Sequence, residues 1–320
     1  MTEPRRAANI RCRSAAEAFV DEPSIGQLAG LDLPESAILG ERHRPSFFIV
    51  GPPRTGSSWL HEILSPYAWL PSPSKETRFF DTHFHRGEKW YISHYKKPRL
   101  GQPMGEVAPT YFASSTARER MMQVVPEAKI VCVFRNPLDR IVSLYRLKRA
   151  YGLIPWSFEE AIAHDPELME SSRYATVLKL WQRSFGSRNV LACIYDDLRE
   201  NPQEFVDALV DFINVPRFRL AEWQYGLVHD SEKMTHPRSY LRTRTATLMA
   251  DWFKAKRMDR VVSAFKRSRL KNLVLGGGSP FPKLTAEQLA RLQEQFQPEV
   301  EELETMLKRN LSSWKLPVSA

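Results

Sequence analysis

Cysteine is scarce and poorly placed for a scaffold: Cys12, Cys132 and Cys193 are the only three in 320 residues. An odd number without framework spacing excludes a disulfide-stapled secreted fold, and a reducing cytoplasm is the expected setting. Cys132 and Cys193 fall inside apolar runs that read as strands, where cysteine serves as a small hydrophobe. No apolar stretch is long enough to cross a membrane. The first residues carry Arg5, Arg6, Arg11 and Arg13 interrupted by Glu3, with no long apolar run after them, so neither a secretory signal nor a span is expected there. Internal repeats are absent too. What is present is ordinary for a globular enzyme: 42% hydrophobic and 26% charged residues exclude a disordered chain. The net charge of +9 favours an anionic partner, either a nucleotide or, as the alternative, nucleic acid.

The run Phe47-Phe48-Ile49-Val50-Gly51-Pro52-Pro53-Arg54-Thr55-Gly56-Ser57-Ser58-Trp59-Leu60 reads as a buried strand, a tight turn and the start of a helix. Unpaired N–H groups at a helix N-terminus sit at the positive end of the dipole and bind anionic oxygens. Ser57 and Ser58 add hydroxyl donors, and Arg54 adds a planar cation suited to phosphate or sulfate. The spacing Gly51-x-x-x-x-Gly56 is that of a nucleotide P-loop, but Ser57 and Ser58 stand where a magnesium-nucleotide loop needs Lys and then Ser or Thr. The motif alone is equally compatible with a plain strand-to-helix connection.

A second apolar strand, Lys129 to Phe134, ends in Arg135-Asn136-Pro137-Leu138-Asp139-Arg140-Ile141-Val142-Ser143. Pro137 suits the first turn of a helix and places Ser143 about two turns in, so a strand-end Arg and a helical Ser can converge on one anion. The bland alternative is that Arg135 and Arg140 only pair with surface acids.

Together the two segments resemble the sulfotransferases that use 3′-phosphoadenosine 5′-phosphosulfate (PAPS), the first like their 5′-phosphosulfate loop and the second like their 3′-phosphate motif. The likeness extends to Ser74-Lys75-Glu76-Thr77-Arg78-Phe79-Phe80-Asp81, Trp90-Tyr91, Gly105-Glu106-Val107-Ala108-Pro109-Thr110-Tyr111-Phe112 and Tyr174-Ala175-Thr176-Val177-Leu178-Lys179-Leu180-Trp181, which are similar to the heparan-sulfate-type branch. It covers residues 46–215 convincingly. The resemblance implies that Arg54, Thr55, Gly56, Ser57, Ser58 and Trp59, with Arg135, Ser143 and Tyr174, hold the donor, and that no metal is required. It also implies Glu76 as the base. Glu106 is a second candidate, which could instead orient Arg54 or the loop. Three departures stand out: Arg54 replaces the usual Lys, Val107 replaces a further Lys after the Glu, and Gly276-Gly277-Gly278-Ser279-Pro280 occupies the place of a basic phosphate-closing loop, with no disulfide hairpin before it.

The expected chemistry is in-line attack of an acceptor hydroxyl, or an amine, on the sulfur of PAPS, a reaction that needs position and charge stabilisation more than covalent help. The bland reading of Glu76 is an exposed carboxylate paired with Lys75 or Arg78. His61, His83, His85 and His94 are weighed as alternative bases, but none lies at the corresponding place before the second strand. Two other classes stay open. A P-loop kinase would need a Walker Lys and a strand-end Asp, where this chain has Arg135; a non-catalytic nucleotide-binding module would need only the anion sites. The acceptor is expected to be a small metabolite or natural-product alcohol, with a glycan, glycolipid or other lipid-linked molecule as the alternative, no nucleic acid partner, and peripheral membrane contact allowed. Phe79, Phe80, Phe84, Trp90, Tyr91, Tyr95 and Trp156 could line its site, although such residues more often build a core.

Strands at 47–50, 129–134 and 189–195 alternate with helices at 57–64, 115–125, 137–150, 158–164, 172–185 and 202–212. This implies an α/β, P-loop-type three-layer fold with a central parallel sheet and ligands beyond the strand C-termini. Thr285 and Gln288 form a capping box for a final helix whose apolar face runs from Leu289 to Leu307. Residues 1–44 read as a lead-in with helical pieces at 15–20 and 25–31, and 45–320 as one domain. Within it, 233–271 is a basic helical insertion or lid: twelve Lys and Arg face only Asp251 and Asp259, with Leu248, Met249, Trp252, Phe253, Met258, Val261, Val262 and Phe265 at helical spacing. It is either a core-docked helix with a solvated basic face or a mobile cover that closes on the donor or grips an acidic or lipid-linked acceptor.

Overall fold

The computed structural model describes residues 44–95, 101–226, 235–255 and 277–315. The expected lead-in and its helical pieces, Cys12, Gly276 and the second half of the basic segment lie outside the described residues. Four parallel strands form the central sheet in the order β2-β1-β3-β4: β1 (Phe47–Gly51), β2 (Gly105–Val107), β3 (Lys129–Phe134) and β4 (Val190–Ile194). Successive side chains of β1 divide between two cores, Phe48 and Val50 on one face and Phe47 and Ile49 on the other. That division is why the strand reads as an uninterrupted apolar run: both faces are covered.

Helices α1 (Ser57–Leu64) and, after β4, α8 (Tyr195–Glu200) and α9 (Pro202–Ile213) cover the Phe47 face. The other face carries α3 (Ser115–Val124), α7 (Tyr174–Phe185) and the C-terminal half of α11 (Ala286–Leu307). Between β1 and β2 lies the short α2 (Gly87–Ile92). Helix α4 (Pro137–Ala150) packs with α5 (Phe158–His164), α6 (Pro166–Glu170) and the start of α11 in a third apolar cluster. The capping box of α11 is made as read: the Thr285 hydroxyl accepts from Gln288 N–H at 3.2 Å, and Gln288 Oε1 accepts from Thr285 N–H at 2.7 Å.

Boundaries shift by one or two residues at element ends. The helix read from 172 begins at Tyr174, and the strand read to 195 stops at Ile194 because Tyr195 opens α8. Helix α3 stops at Val124, one residue short. The basic segment is not helical throughout: Thr235–Pro237 is a short strand, β5, paired antiparallel with β6 (Gly277–Pro280), and α10 (Tyr240–Ala255) follows β5. Cys132 and Cys193 are buried and carried by adjacent strands, as small apolar fillers.

The chain leaves β1 toward β2 on one side, while β3 and β4 stand on the other. The C-terminal ends of β1 and β3 therefore border a topological switch point, where ligands of open parallel sheets gather. Both anion motifs begin at that edge.

Candidate anion-binding and transfer site

The loop after β1 is held by close backbone approach. Gly51 has φ +110°, and a Cβ there would stand 2.7 Å from Pro109 Cα, in the segment that follows β2. Gly56 caps α1 at φ +88°, and its Cβ would meet the Leu198 side chain at 3.0 Å. Only glycine fits both positions. Between them the Thr55 hydroxyl donates to Pro52 O at 2.7 Å, closing the turn. Ser57 and Ser58 open α1, whose first turn holds no acidic residue to compete for the free N–H groups.

Arg54 joins the two motifs. Its Nε donates to Ser143 Oγ at 2.8 Å, across 89 positions of sequence. Among the described residues no carboxylate pairs with Arg54. Burial and then the neighbouring Arg135 lower its pKa from the usual guanidinium range. Arg135 lies with its guanidinium 5.3 Å from the Tyr195 ring centre and 3.6 Å from Asp139 Oδ2, at the start of α4. Asn136 caps that helix, its Oδ1 accepting from Leu138 N–H at 2.9 Å. Arg54 thus stands between the start of α1, the Ser143 hydroxyl and the like charge of Arg135, a set of donors suited to an anion.

The loop at 74–78 reaches the start of α1. Lys75 Nζ donates to Ser57 Oγ at 3.0 Å and lies 2.9 Å from Glu76 Oε1. The Lys75 pairing read for Glu76 is therefore present, but it does not sit on an open surface: the side chains are only 21% and 23% exposed, and the same Lys touches Ser57 at the start of α1. Sequence reasoning treated Lys75 as a partner for Glu76 alone. Its ammonium also reaches Ser57, the first residue of α1. Arg78 turns away and pairs with Asp81 at 3.1 Å.

Glu106 anchors this loop. It is fully buried on β2, in register with Phe48 of β1. Its Oε1 accepts from Thr77 N–H at 2.6 Å and Thr77 Oγ1–H at 2.8 Å, and its Oε2 accepts from the Tyr91 hydroxyl at 3.1 Å. Tyr91 in turn lies 2.7 Å from the Tyr95 hydroxyl. Of its two alternative roles, orienting Arg54 or orienting the loop, the contacts are with the loop. Burial pushes the Glu106 carboxyl up to about 7, against the pull of its hydrogen bonds from Thr77 and Tyr91.

That shift has a signed consequence. The folded chain holds a proton that the unfolded chain gives up at its ordinary value of 4.5, so this contribution is complete below that pH and is lost as pH rises through about 7. The melting temperature is expected to fall over that window, and Glu106→Gln to flatten the profile, because an amide can still accept from Thr77. Glu106→Leu leaves the Thr77 N–H and Tyr91 hydroxyl short of a partner and should cost about 1–3 kcal/mol. Thermal melts of the three proteins from acid to neutral pH check this.

Arg140 corrects one expectation. Among the described residues it pairs with no surface acid and its Nη1 has no hydrogen-bond partner: the side chain is fully buried, Nε donating to Ser172 Oγ at 2.7 Å and Nη2 to Leu168 O. It ties α4 to the turn before α7. Tyr174, the first residue of α7, is 1% exposed and stacks on Phe134 at 4.8 Å, with its hydroxyl pushed up to about 12 by burial. Trp59 is also buried, its Nε1 donating to Gln224 O at 2.8 Å.

The aromatic residues weighed as an acceptor lining are mostly core. Phe79, Phe80, Phe84, Tyr91 and Tyr95 lie in the main cluster, with Trp90 packed against it, and Trp156 packs against the cluster of α4 to α6. The histidines follow them: His83 and His94 rest on Trp90 at 5.0 and 4.4 Å, His85 lies beside His83, and His61 lies 3.3 Å from Pro71 O. The glycines at 277–278 pair with β5, where a Cβ on Gly278 would stand 2.6 Å from His236 O. Among the described residues no group of three His, Cys, Asp or Glu is arranged to hold a metal ion.

The family model described as "Sulfotransferase domain" matches residues 44–308. A bifunctional heparan sulfate N-deacetylase/N-sulfotransferase 2 of Bos taurus is 30% identical over 197 residues, which cover 54% of this chain and 22% of that protein. The corresponding enzyme 4 of Mus musculus is 28% identical over 215 residues, 60% of this chain and 24% of that protein. The aligned region thus spans under a quarter of those relatives. A sulfotransferase from Alicyclobacillus acidocaldarius shares the fold, with a TM-score of 0.60 at 22% identity over 86% of this chain and 100% of that one.

Proposed function

Since this chain belongs to the sulfotransferase-domain family, we propose that it transfers a sulfuryl group from PAPS to an acceptor hydroxyl, with Arg54 and the α1 N-terminus at the 5′ end of the donor and Arg135 and Ser143 at its 3′-phosphate. The observation that carries this reading is the 2.8 Å bond between Arg54 and Ser143, which unites two anion motifs from distant parts of the chain. Bound PAPS supplies the activated sulfuryl group.

The residues of the chain do the rest. Arg54 neutralises charge growing on the bridging oxygen, aided by the unpaired N–H groups of α1. Glu76 takes the acceptor's proton. Lys75 keeps that carboxylate beside the cradle and gives the leaving side a further cation. Glu106, through Thr77, fixes the loop that carries both, and acts as a positioning residue. Thr55, Gly56, Ser57, Ser58 and Trp59 shape the loop, and Tyr174 supports the strand end that bears Arg135. Residues 45–320 act as one transferase unit in this reading.

A small metabolite alcohol remains the first acceptor to test. A glycan is the second reading, favoured by the names of the heparan sulfate relatives. Calorimetry with adenosine 3′,5′-bisphosphate, with and without a chelator, tests the donor site. Binding independent of magnesium and tighter than that of Mg-ATP is expected; preference for Mg-ATP overturns the reading. Ser143→Ala should weaken bisphosphate binding by about tenfold, the worth of a charge-assisted hydrogen bond, while affecting adenosine 5′-monophosphate less.

A further inference from the structure

Helix α10 is amphipathic the wrong way round. Toward the protein it turns Thr243, fully buried, and Thr247, whose Oγ1 donates to Tyr151 O at 2.7 Å. The approach is close: Gly152 has φ +62°, and a Cβ there would stand 2.9 Å from Arg244 N. Away from the protein, Leu241, Leu248 and Trp252, at i, i+7 and i+11, form one stripe that is 74%, 52% and 56% exposed, with Met249 beside it at 54%. A surface helix ordinarily buries such residues and exposes the small polar ones. Among the described residues every exposed large hydrophobic side chain falls in 151–153, 223–225 or 241–252.

Charge selects the occupant of this face. Between 238 and 255 the sequence has Arg238, Arg242, Arg244 and Lys254 against Asp251 alone, and Arg238 and Arg242 are exposed. A second copy of the chain would bring the same positive field, on a protein already at +9, and be repelled. An apolar stripe that contains Trp and is bordered by Arg complements an anionic lipid surface instead, with rings and aliphatic chains at the acyl boundary and guanidinium groups at the headgroups.

We infer that α10, with the adjoining turn at 151–153, is a docking surface for an anionic phospholipid bilayer, on which the helix lies in the plane of the interface.

The test uses the full chain and vesicles, without donor, so its outcome is separate from that of the sulfuryl-transfer reading. The wild type is expected to co-sediment with phosphatidylcholine vesicles containing about one third phosphatidylglycerol and not with phosphatidylcholine alone. The double substitution Leu248→Ser/Trp252→Ser should lower the partition coefficient about tenfold or more, and Arg242→Glu a few-fold in a salt-dependent manner. Melting temperature and adenosine bisphosphate affinity should stay unchanged in both variants, which excludes misfolding. Three results overturn the inference: no association with the anionic vesicles, association that survives the double substitution, or a wild-type dimer that the double substitution dissolves.

Discussion

Glu76→Gln is expected to lower turnover by about 10²- to 10⁴-fold, the range a positioned general base supplies, with no recovery when pH is raised. The glutamine keeps the volume and one acceptor oxygen for Lys75, 2.9 Å away in the wild type, so the fold and donor affinity should persist. What disappears is the capacity to take a proton. The competing view makes Glu76 a mere ion-pair partner. A partly exposed pair of that kind contributes about 0–1 kcal/mol, and its loss would leave turnover within a few-fold. Single-turnover rates at saturating donor separate the two outcomes without interference from product release. Glu106→Gln is the companion measurement: it alters the pH profile of stability and spares the proton acceptor, so a similar collapse there would shift the assignment to Glu106.

Arg54 should give effects of opposite sign on activity and stability. The residue sits at φ +77°, in the left-handed region where any side chain other than glycine is strained. Arg54→Gly relieves that strain and should raise stability by about 1 kcal/mol, a gain of about 2 °C in melting temperature for a chain of this size. It also removes the cation expected at the bridging oxygen, and kcat should fall about 10²- to 10³-fold, as when an oxyanion donor is deleted. Arg54→Lys keeps the charge and can reach Ser143, so most of the activity should remain, with a loss of about tenfold from altered geometry. A rise in melting temperature with full activity would remove Arg54 from the transfer step, and strain held at a functional position would be the wrong account of its backbone.

Much of the fold was legible because its signals are local. A strand buried on both faces reads as a continuous apolar run, which marked β1 and β3; Pro137 and the Thr285–Gln288 box marked helix starts by capping chemistry. Strand β2 escaped notice because its three residues, Gly105–Val107, carry a buried Glu at the centre where an apolar residue belongs. The polar cluster that gives that Glu its hydrogen bonds comes from Thr77, Tyr91 and Tyr111, none of which is near it on a strand. Arg140 was open to the surface-acid alternative for a related reason: an arginine in a helix reads as solvated, and only Leu168 of α6 and the turn at Ser172 make it a core residue. The aromatic run 79–95 was ambiguous between core and lining, since rings bury themselves equally well in either.

The sequence by itself determined that two Arg- and Ser-bearing turns each follow a buried strand and open a helix, because turn, cap and anion-binding chemistry are written in neighbouring residues. Tertiary structure alone decided that these turns meet, that Lys75 and Glu76 lean over them, and that α10 shows its apolar side outward. Those facts depend on strand order and on which helix face finds a partner, and no local stretch of residues encodes either.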